Sequence, residues 1–288
     1  MLNLDEETIT QAVLTSHKNA SDPRLKEIMN SLVTHLHSFA REIKLTETEW
    51  KIAIDFLTAV GQKCSETRQE FILLSDTLGL STLVTAQNHR HPAGYTEATV
   101  FGPFHVAGAP AFEHGEDIAQ GMAGEPCFVT GSIKTLNGTS VSDARIDVWQ
   151  ADAEGFYDVQ RPELSRPQGR GVFRSDKEGG FNFKTILPEC YPIPHDGPVG
   201  KMLEQLGRHP WRPAHLHFMI EAPGYQTLVT HVFRADDRYL DSDAVFGVRS
   251  SLVADWRKSS AAIGPDGITY EGEHYTLNFD FVLEPVHG

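Results

Sequence analysis

Apolar residues in the first part of the chain recur at helical spacing. Asp22 followed by Pro23 predicts the start of the clearest helix, because Asp caps N-termini well and proline fits the first helical position. A second helix is predicted from Thr46, with Glu49 completing a capping box, and a third after Ser65. The stripe of the first helix, with steps of one, three and four residues, consists of Leu25, Ile28, Met29, Leu32, Val33, Leu36, Phe39, Ala40 and Ile43.

Further along the chain the apolar period changes to two, which is typical of strands. Strands are predicted over residues 127–134, 145–150, 171–174, 181–185, 215–221, 228–233 and 275–283. The turn sequences Asn137-Gly138 and Pro223-Gly224 lie between them. Short strands at this spacing predict an antiparallel β-sandwich or barrel. We therefore expect an α+β chain, with an N-terminal helical domain over residues 1–95 and a β-sandwich domain over residues 96–288.

Composition narrows the function. The 288 residues include 25 Lys+Arg and 39 Asp+Glu, so the net charge of -14 argues against a nucleic-acid partner. Cys64, Cys127 and Cys190 are too few and too scattered for a disulfide framework or a CxxC metal cage. The N-terminus does not resemble a signal peptide, and no apolar run approaches the roughly 20 residues that span a bilayer. These features predict a cytoplasmic protein without a membrane span.

His215 and His217 carry the sharpest local signal. Residues two apart on a strand point to the same face, so both imidazoles would lie side by side. Two converging neutral imidazoles make half of a metal site, although a polar strand face explains the same pattern. His35 and His37 have the same spacing on a predicted helix, where their side chains diverge.

The remaining ligands do not follow from the pattern. No nearby cysteine or HExxH helix could supply them. Tyr157 and Tyr191 stand in turn-rich segments just past predicted strands. Taken singly, each is better explained as a half-buried aromatic whose hydroxyl meets water than as a metal ligand.

Four segments in order resemble the signatures of a known family, the intradiol ring-cleaving dioxygenases, and the resemblance spans nearly the whole chain. They are residues 96–104 (TEATVFGPF), 147–152 (DVWQAD), 191–200 (YPIPHDGPVG) and 212–217 (RPAHLH). Within that family the chain is most similar to the branch that acts on hydroxyquinol (benzene-1,2,4-triol). The branches that act on catechol and chlorocatechols are near relatives and remain the alternative.

The resemblance implies a non-haem ferric ion, one per subunit, bound by Tyr157, Tyr191, His215 and His217. It also implies that the sandwich is catalytic and that the N-terminal helices form a homodimer, with a phospholipid at the interface. The implied reaction belongs to aromatic compound catabolism. Dioxygen cleaves hydroxyquinol between its two adjacent hydroxylated carbons and gives 3-hydroxy-cis,cis-muconate, the enol form of maleylacetate.

Further roles follow from the same resemblance. Tyr191 is the ligand that substrate displaces, and Arg212 stabilises negative charge on the ring. His231 stands where catechol-cleaving relatives carry glutamine, and it could act as a hydrogen-bond donor, a proton carrier or a pocket wall; a third histidine ligand is the least favoured role. The implied substrate pocket consists of Leu73, Asp76, Val100, Phe101, Gly102, Pro103, Phe104, Ile193, Pro194 and Val245.

Asp76 is the polar exception among these walls. Its carboxylate could accept a hydrogen bond from the third hydroxyl of hydroxyquinol and so discriminate against catechol. The simpler interpretation is a helix cap or a solvent-facing side chain.

Two other classes of function fit parts of the pattern. A zinc hydrolase could use the histidine pair with one carboxylate, and a non-enzymatic β-sandwich could serve as a binding module. An extradiol dioxygenase would need a facial set of two histidines and a carboxylate, for which the sequence offers no candidate.

Overall fold

A computed structural model describes residues 3–66, 68–90, 92–261, 263, 264, 267, 269 and 272–286. The chain divides into two compact units, one up to residue 59 and one from residue 60 onward. The expected boundary between residues 95 and 96 stays a prediction. The helices are α1 Ile9–Ser16, α2 Pro23–Glu42, α3 Glu47–Lys63, α4 Glu70–Thr77, α5 Leu80–Asn88 and α6 Pro198–Gln205.

The first unit contains α1, α2 and most of α3. The Asp22 carboxylate accepts hydrogen bonds from the backbone N–H groups of Arg24 and Leu25 at 2.8 and 3.1 Å, which confirms the predicted cap of α2. Thr46 and Glu49 exchange reciprocal hydrogen bonds at the start of α3, as the capping box predicts. The apolar stripe of α2 is largely exposed, with Leu36 56% accessible.

The second unit is built on two five-stranded sheets. Its strands are β1 Pro126–Lys134, β2 Arg145–Trp149, β3 Arg170–Arg174, β4 Gly180–Ile186, β5 Tyr191–Pro192, β6 Trp211–Arg212, β7 His215–Glu221, β8 Leu228–Arg234, β9 Val253–Ala254, β10 Arg257–Ser259, β11 His274–Asn278 and β12 Phe281–Val282. One sheet runs β10-β11-β1-β12, with β4 also paired to β1, and the other runs β3-β2-β7-β8-β9. β5 and β6 form a separate short pair.

Six of the predicted strands match observed ones to within a residue or two, and the seventh was wrong in extent. Residues 275–283 are divided between β11 and β12, both parallel to β1. The division falls at Phe279, whose carbonyl lies against Gly131 of β1; a Cβ built on residue 131 would be 2.0 Å from that oxygen. Phe279 still donates its N–H to the Thr130 carbonyl at 3.0 Å, so the chain stays against β1 between the two strands. Most other pairings are antiparallel, and the predicted α+β class is confirmed.

The core between the sheets fixes which face of β7 is available for chemistry. Leu216, Phe218 and Ile220 are fully buried in this core, and the Phe218 ring contacts those of Phe181 and Phe281 across the sandwich. Because neighbouring strand residues point to opposite faces, His215 and His217 lie on the other side of the same sheet.

None of the helices among the described residues is both long and apolar enough to cross a membrane. Cys64, Cys127 and Cys190 are all free thiols.

Candidate metal centre and substrate cavity

Two buried imidazoles face each other on β7. His215 and His217 are 2% and 1% exposed, and their Nε2 atoms are 3.1 Å apart. His215 Nδ1 lies 2.7 Å from the carbonyl oxygen of Pro213. A carbonyl only accepts, so Nδ1 carries the proton and Nε2 presents its lone pair toward His217.

Two tyrosines bring their hydroxyl oxygens to the same place. Tyr157 stands directly before a 3₁₀ turn, and its Oη is 2.9 Å from His217 Nε2 and 3.2 Å from the Oη of Tyr191. Tyr191 opens β5, where it pairs with Arg212 of β6. The structure thus brings together all four residues that the resemblance implies as ligands, from three separate parts of the chain.

These donor atoms fit a single metal ion. Ligand atoms that each lie about 2 Å from an ion are about 3 Å from their neighbours, which is the spacing observed between these oxygens and nitrogens. The hydrogen bond from His215 Nδ1 to a backbone carbonyl also has the form that orients metal-binding histidines. Hard phenolate oxygens with imidazole nitrogens suit a trivalent iron ion.

Burial sets the protonation of this donor set. Burial, and then the nearby Arg212, lower the pKa of His215 to about 3, and burial holds the pKa of His217 well below its usual value. Burial and the neighbouring Tyr191 raise the pKa of Tyr157 well above its usual value. The imidazoles are therefore neutral and able to bind a metal, whereas Tyr157 becomes a phenolate only when a cation replaces its proton.

Aromatic stacking fixes the rings of two candidate ligands. Phe104 stacks on Tyr157 with ring centroids 4.4 Å apart, and Trp149 stacks on His217 at 4.7 Å. Phe104 is held in turn by its carbonyl, which accepts a hydrogen bond from the buried Arg170 at 3.1 Å. These contacts restrict ring rotation, so the donor atoms are held in place before any ion binds.

Gly102 allows the backbone to approach this cluster. It has a φ of +74°, and a Cβ built on it would lie 3.2 Å from His217 Cε1. Both the conformation and the space favour glycine at this position.

His231 joins the cluster from the neighbouring strand. It pairs with His217 across β7 and β8, and the ring centroids are 4.2 Å apart. Its Nδ1 is hydrogen-bonded to the Thr99 hydroxyl, while its buried Nε2 has no hydrogen-bond partner within the described part of the chain. The ligand atoms of His215, His217 and His231 all lie within 4.8 Å of one another. The geometry therefore places a third imidazole beside the histidine pair.

A cavity of about 430 Å³ lies beside the donor cluster. Tyr191 and Arg212 line it directly, and so do nine of the ten predicted pocket residues. Phe101 is absent from this lining; the residue is 45% exposed, and its ring packs against His105 and Trp149.

Sequence reasoning missed part of the lining. The additional residues are Arg68, Gln69, Glu70, Glu154, Gly155, Phe156, Val159, Gln160, Pro192, His195 and Asp196. Pro192, His195 and Asp196 lie within the recognised segment of residues 191–200, and Phe156 directly precedes Tyr157. Their closeness in sequence to predicted site residues was the signal that could have identified them as cavity residues. Glu70 gave none, because its complete burial depends on the tertiary contacts of α4.

Asp76 lies on the buried side of α4. It is 6% exposed and lines the cavity, which leaves it neither a cap nor a solvent-facing residue. Burial raises its pKa above the usual value, while the Ser81 hydroxyl and Arg212 oppose that rise.

Comparison with known proteins places the chain in a family. Residues 22–96 match the family model described as the N terminus of catechol dioxygenases, and residues 100–285 match the model described as dioxygenase. The chain is 57% identical over 285 residues to the 6-chlorohydroxyquinol 1,2-dioxygenase of Cupriavidus pinatubonensis, covering 99% of both proteins. It is 50% identical to the hydroxyquinol 1,2-dioxygenase of Nocardioides simplex, covering 97% of this chain and 96% of that protein.

A solved structure shows the same fold. The crystal structure of hydroxyquinol 1,2-dioxygenase from Pseudomonas putida superposes with a TM-score of 0.91 at 49% identity, covering 97% of this chain and 98% of that one. With matched models over both halves and relatives of nearly equal length, the chain belongs to the intradiol ring-cleavage dioxygenase family.

Proposed function

We propose that this protein is a hydroxyquinol 1,2-dioxygenase. It would use dioxygen to cleave hydroxyquinol between the adjacent hydroxylated carbons and form 3-hydroxy-cis,cis-muconate. The family depends on non-haem iron, and the observation that carries the proposal is the set of four buried donor atoms beside a cavity of about 430 Å³. The relatives named for hydroxyquinol or 6-chlorohydroxyquinol cover nearly the whole chain and support that substrate.

Tyr157, Tyr191, His215 and His217 would hold one Fe³⁺ per subunit. Bound there, ferric iron supplies the Lewis acidity that favours the diolate form of the substrate and the redox chemistry that makes its ring reactive toward dioxygen. Two phenolates and two neutral imidazoles leave room for substrate in the coordination shell.

The two tyrosines have different surroundings, which suggests different roles. Tyr157 is fully buried beneath Phe104, whereas Tyr191 also lines the cavity. As the phenolate it would be when it holds iron, Tyr191 is therefore the base within reach of an incoming substrate hydroxyl; it would take one of the two protons that the diol loses, and hydroxide from solvent would take the other. Tyr157 would remain bound throughout.

Arg212 would stabilise the negative charge of the bound dianion. It is 4% exposed and lines the cavity, and its Nη1 lies 3.4 Å from His215 Nε2. Burial opposes its charge, but Asp243 and the two tyrosines raise the pKa of Arg212, so the guanidinium stays cationic. A fixed cation in a site that excludes water stabilises a nearby negative charge more strongly than a cation in solvent does.

The cavity walls would select the substrate. Val100, Phe104 and Ile193 offer apolar surfaces to a flat ring, while Asp76 is the acidic group among the predicted walls. A third ring hydroxyl would give Asp76 a hydrogen-bond donor that catechol lacks. Cleavage of catechol or a chlorocatechol remains the alternative activity.

The exposed stripe of α2 supports a homodimer formed through the N-terminal helices. Leu25, Leu32, Leu36 and Phe39 are each more than half exposed, which is costly for a chain that stays alone. A phospholipid at that interface and a cytoplasmic location are further parts of the proposal.

An oxygen electrode tests the function directly. Iron-loaded protein is given hydroxyquinol, catechol and a chlorocatechol side by side, and the product is identified by mass spectrometry. We expect one dioxygen consumed per hydroxyquinol, a ring-opened dicarboxylate as product, and the highest kcat/KM for hydroxyquinol. Zinc-loaded protein is the control and should be inactive and colourless. Oxygen uptake equally absent from both preparations would reject the proposal, and activity of the zinc form as a hydrolase would favour the rival class.

A further inference from the structure

The buried carboxylate of Asp243 binds one edge of the Arg212 guanidinium, formed by Nε and Nη2. The side chain of Asp243 is 2% exposed. Its Oδ1 accepts a hydrogen bond from Arg212 Nε at 3.1 Å, and its Oδ2 accepts one from Arg212 Nη2 at 3.3 Å. Two bonds to one edge of a planar guanidinium fix both the position and the plane of the group.

Asp243 is itself fixed by the backbone that follows it. Oδ1 also accepts from the N–H of Val245 at 3.3 Å, and Oδ2 from the N–H of Gly247 at 2.9 Å. The carbonyl of Val245 in turn accepts a hydrogen bond from the Thr82 hydroxyl at 3.0 Å. The carboxylate therefore cannot turn without breaking contacts in the segment of residues 243–247, which also supplies a cavity wall through Val245.

Little space is left beside this ion pair at Gly247. A Cβ built on Gly247 would lie 3.0 Å from Arg212 Nη2 and 3.1 Å from Asp243 Oδ2, so any side chain there would press on the pair. The preceding residue, Phe246, has a φ of +58°, which is unfavourable for a bulky side chain. Such strain is commonly retained near functional sites, where surrounding contacts hold it.

The third guanidinium nitrogen of Arg212 faces the donor cluster. With Nε and Nη2 bonded to Asp243, Nη1 is directed to the donor cluster and lies 3.4 Å from His215 Nε2. A buried arginine without its partner would be an uncompensated charge and would move toward another acceptor.

We propose that Asp243 is a positioning residue for the reaction: it holds Arg212 with Nη1 aimed at the substrate dianion. This inference rests on the proposed function. A purely structural Asp243 would support only the segment of residues 243–247, and its loss would then lower stability without a specific effect on turnover through Arg212.

A double-mutant cycle on the iron-loaded protein separates these roles. Asp243→Asn keeps the size and an acceptor oxygen but removes the charge, and Arg212→Gln removes the opposite charge. Asp241→Asn is the matched control. Asp241 is exposed and lies two positions before Asp243, so this substitution removes the same charge without touching Arg212. The readouts are kcat and KM for hydroxyquinol, iron content and the visible absorption of the iron-tyrosinate centre.

We expect Asp243→Asn to lower kcat about 10- to 100-fold, as small misplacements of a catalytic group do, with KM changed less than threefold. Iron content and the visible band should match those of the wild type. The double variant should be no slower than Arg212→Gln alone, because Asp243 acts through the same group. Gly247→Ala should give the same loss of kcat with iron retained, which keeps the test open if Asp243→Asn does not fold.

Three results would overturn the assignment: kcat of Asp243→Asn equal to that of Asp241→Asn, fully additive losses in the double variant, or a loss of iron and colour that tracks the loss of kcat. A wild-type protein that consumes no oxygen with any diol would instead reject the proposed function and this inference with it.

Discussion

Replacing Asp76 tests how the cavity distinguishes hydroxyquinol from catechol. The carboxylate is 6% exposed and lines the cavity, so a substrate hydroxyl that reaches it forms a hydrogen bond shielded from water. Hydrogen bonds to charged groups contribute about 1.5–3 kcal/mol. Since about 1.4 kcal/mol corresponds to a factor of ten, Asp76→Ala should lower the ratio of kcat/KM for hydroxyquinol over catechol by roughly 10- to 100-fold.

Asp76→Asn is the graded control for this prediction. It keeps an acceptor oxygen but removes the charge, and neutral hydrogen bonds are about half as strong. The ratio should therefore fall between the values for the wild type and for Asp76→Ala. Catechol serves as the internal reference, because any disturbance passed to the nearby Arg212 would slow both substrates. An unchanged ratio, or equal losses for the two diols, would remove Asp76 from substrate selection.

Three further changes probe the donor set and its surroundings. Tyr157→Phe should weaken ferric binding and shift the visible absorption; full iron content with an identical spectrum in titrations with iron would contradict its assignment. Gly102→Ala should cost about 1 kcal/mol in backbone strain and push the His217 ring, since the new Cβ would lie 3.2 Å from its Cε1. Iron affinity should fall, and an affinity equal to the wild type would show that the ring is not confined there. Salt bridges to Lys63 and Arg68 lower the pKa of Asp196 to about 2, below its unfolded value, so its stabilisation is present above about pH 4 and lost as the pH falls toward 2. The difference in unfolding midpoint between wild type and Asp196→Asn should accordingly shrink between pH 5 and pH 2.5, and a difference independent of pH would refute the pairing.

The sequence predicted the features that depend on short-range periodicity. The two-residue spacing in β7 predicted that His215 and His217 share one face, as observed, and the structure places Leu216 and Phe218 on the other face, in the core. The caps of α2 and α3 depend on neighbouring residues and were likewise predictable. Helices of eight residues, such as α1 and α6, carry too few apolar positions to establish a period, and neither was predicted separately.

Features set by long-range register could not be read from the pattern. His231 meets His217 because β7 and β8 pair with that particular offset, which depends on the connection between them. Asp243 contacts Arg212 from 31 residues further along the chain. The placement of Tyr157 and Tyr191 came from resemblance, since no local rule brings two turn tyrosines to a histidine pair. Resemblance also predicted one residue too many for the cavity wall. The neighbours of Phe101 in residues 100–104 line the cavity, but its own ring packs against His105 instead.

The central claim is that two tyrosines and two histidines share one iron ion, and anomalous diffraction at the iron edge tests it most directly. The account predicts a single peak per chain, about 2 Å from Tyr157 Oη, Tyr191 Oη, His215 Nε2 and His217 Nε2. A peak bound by His215, His217 and His231 with both tyrosine oxygens beyond bonding distance would contradict it.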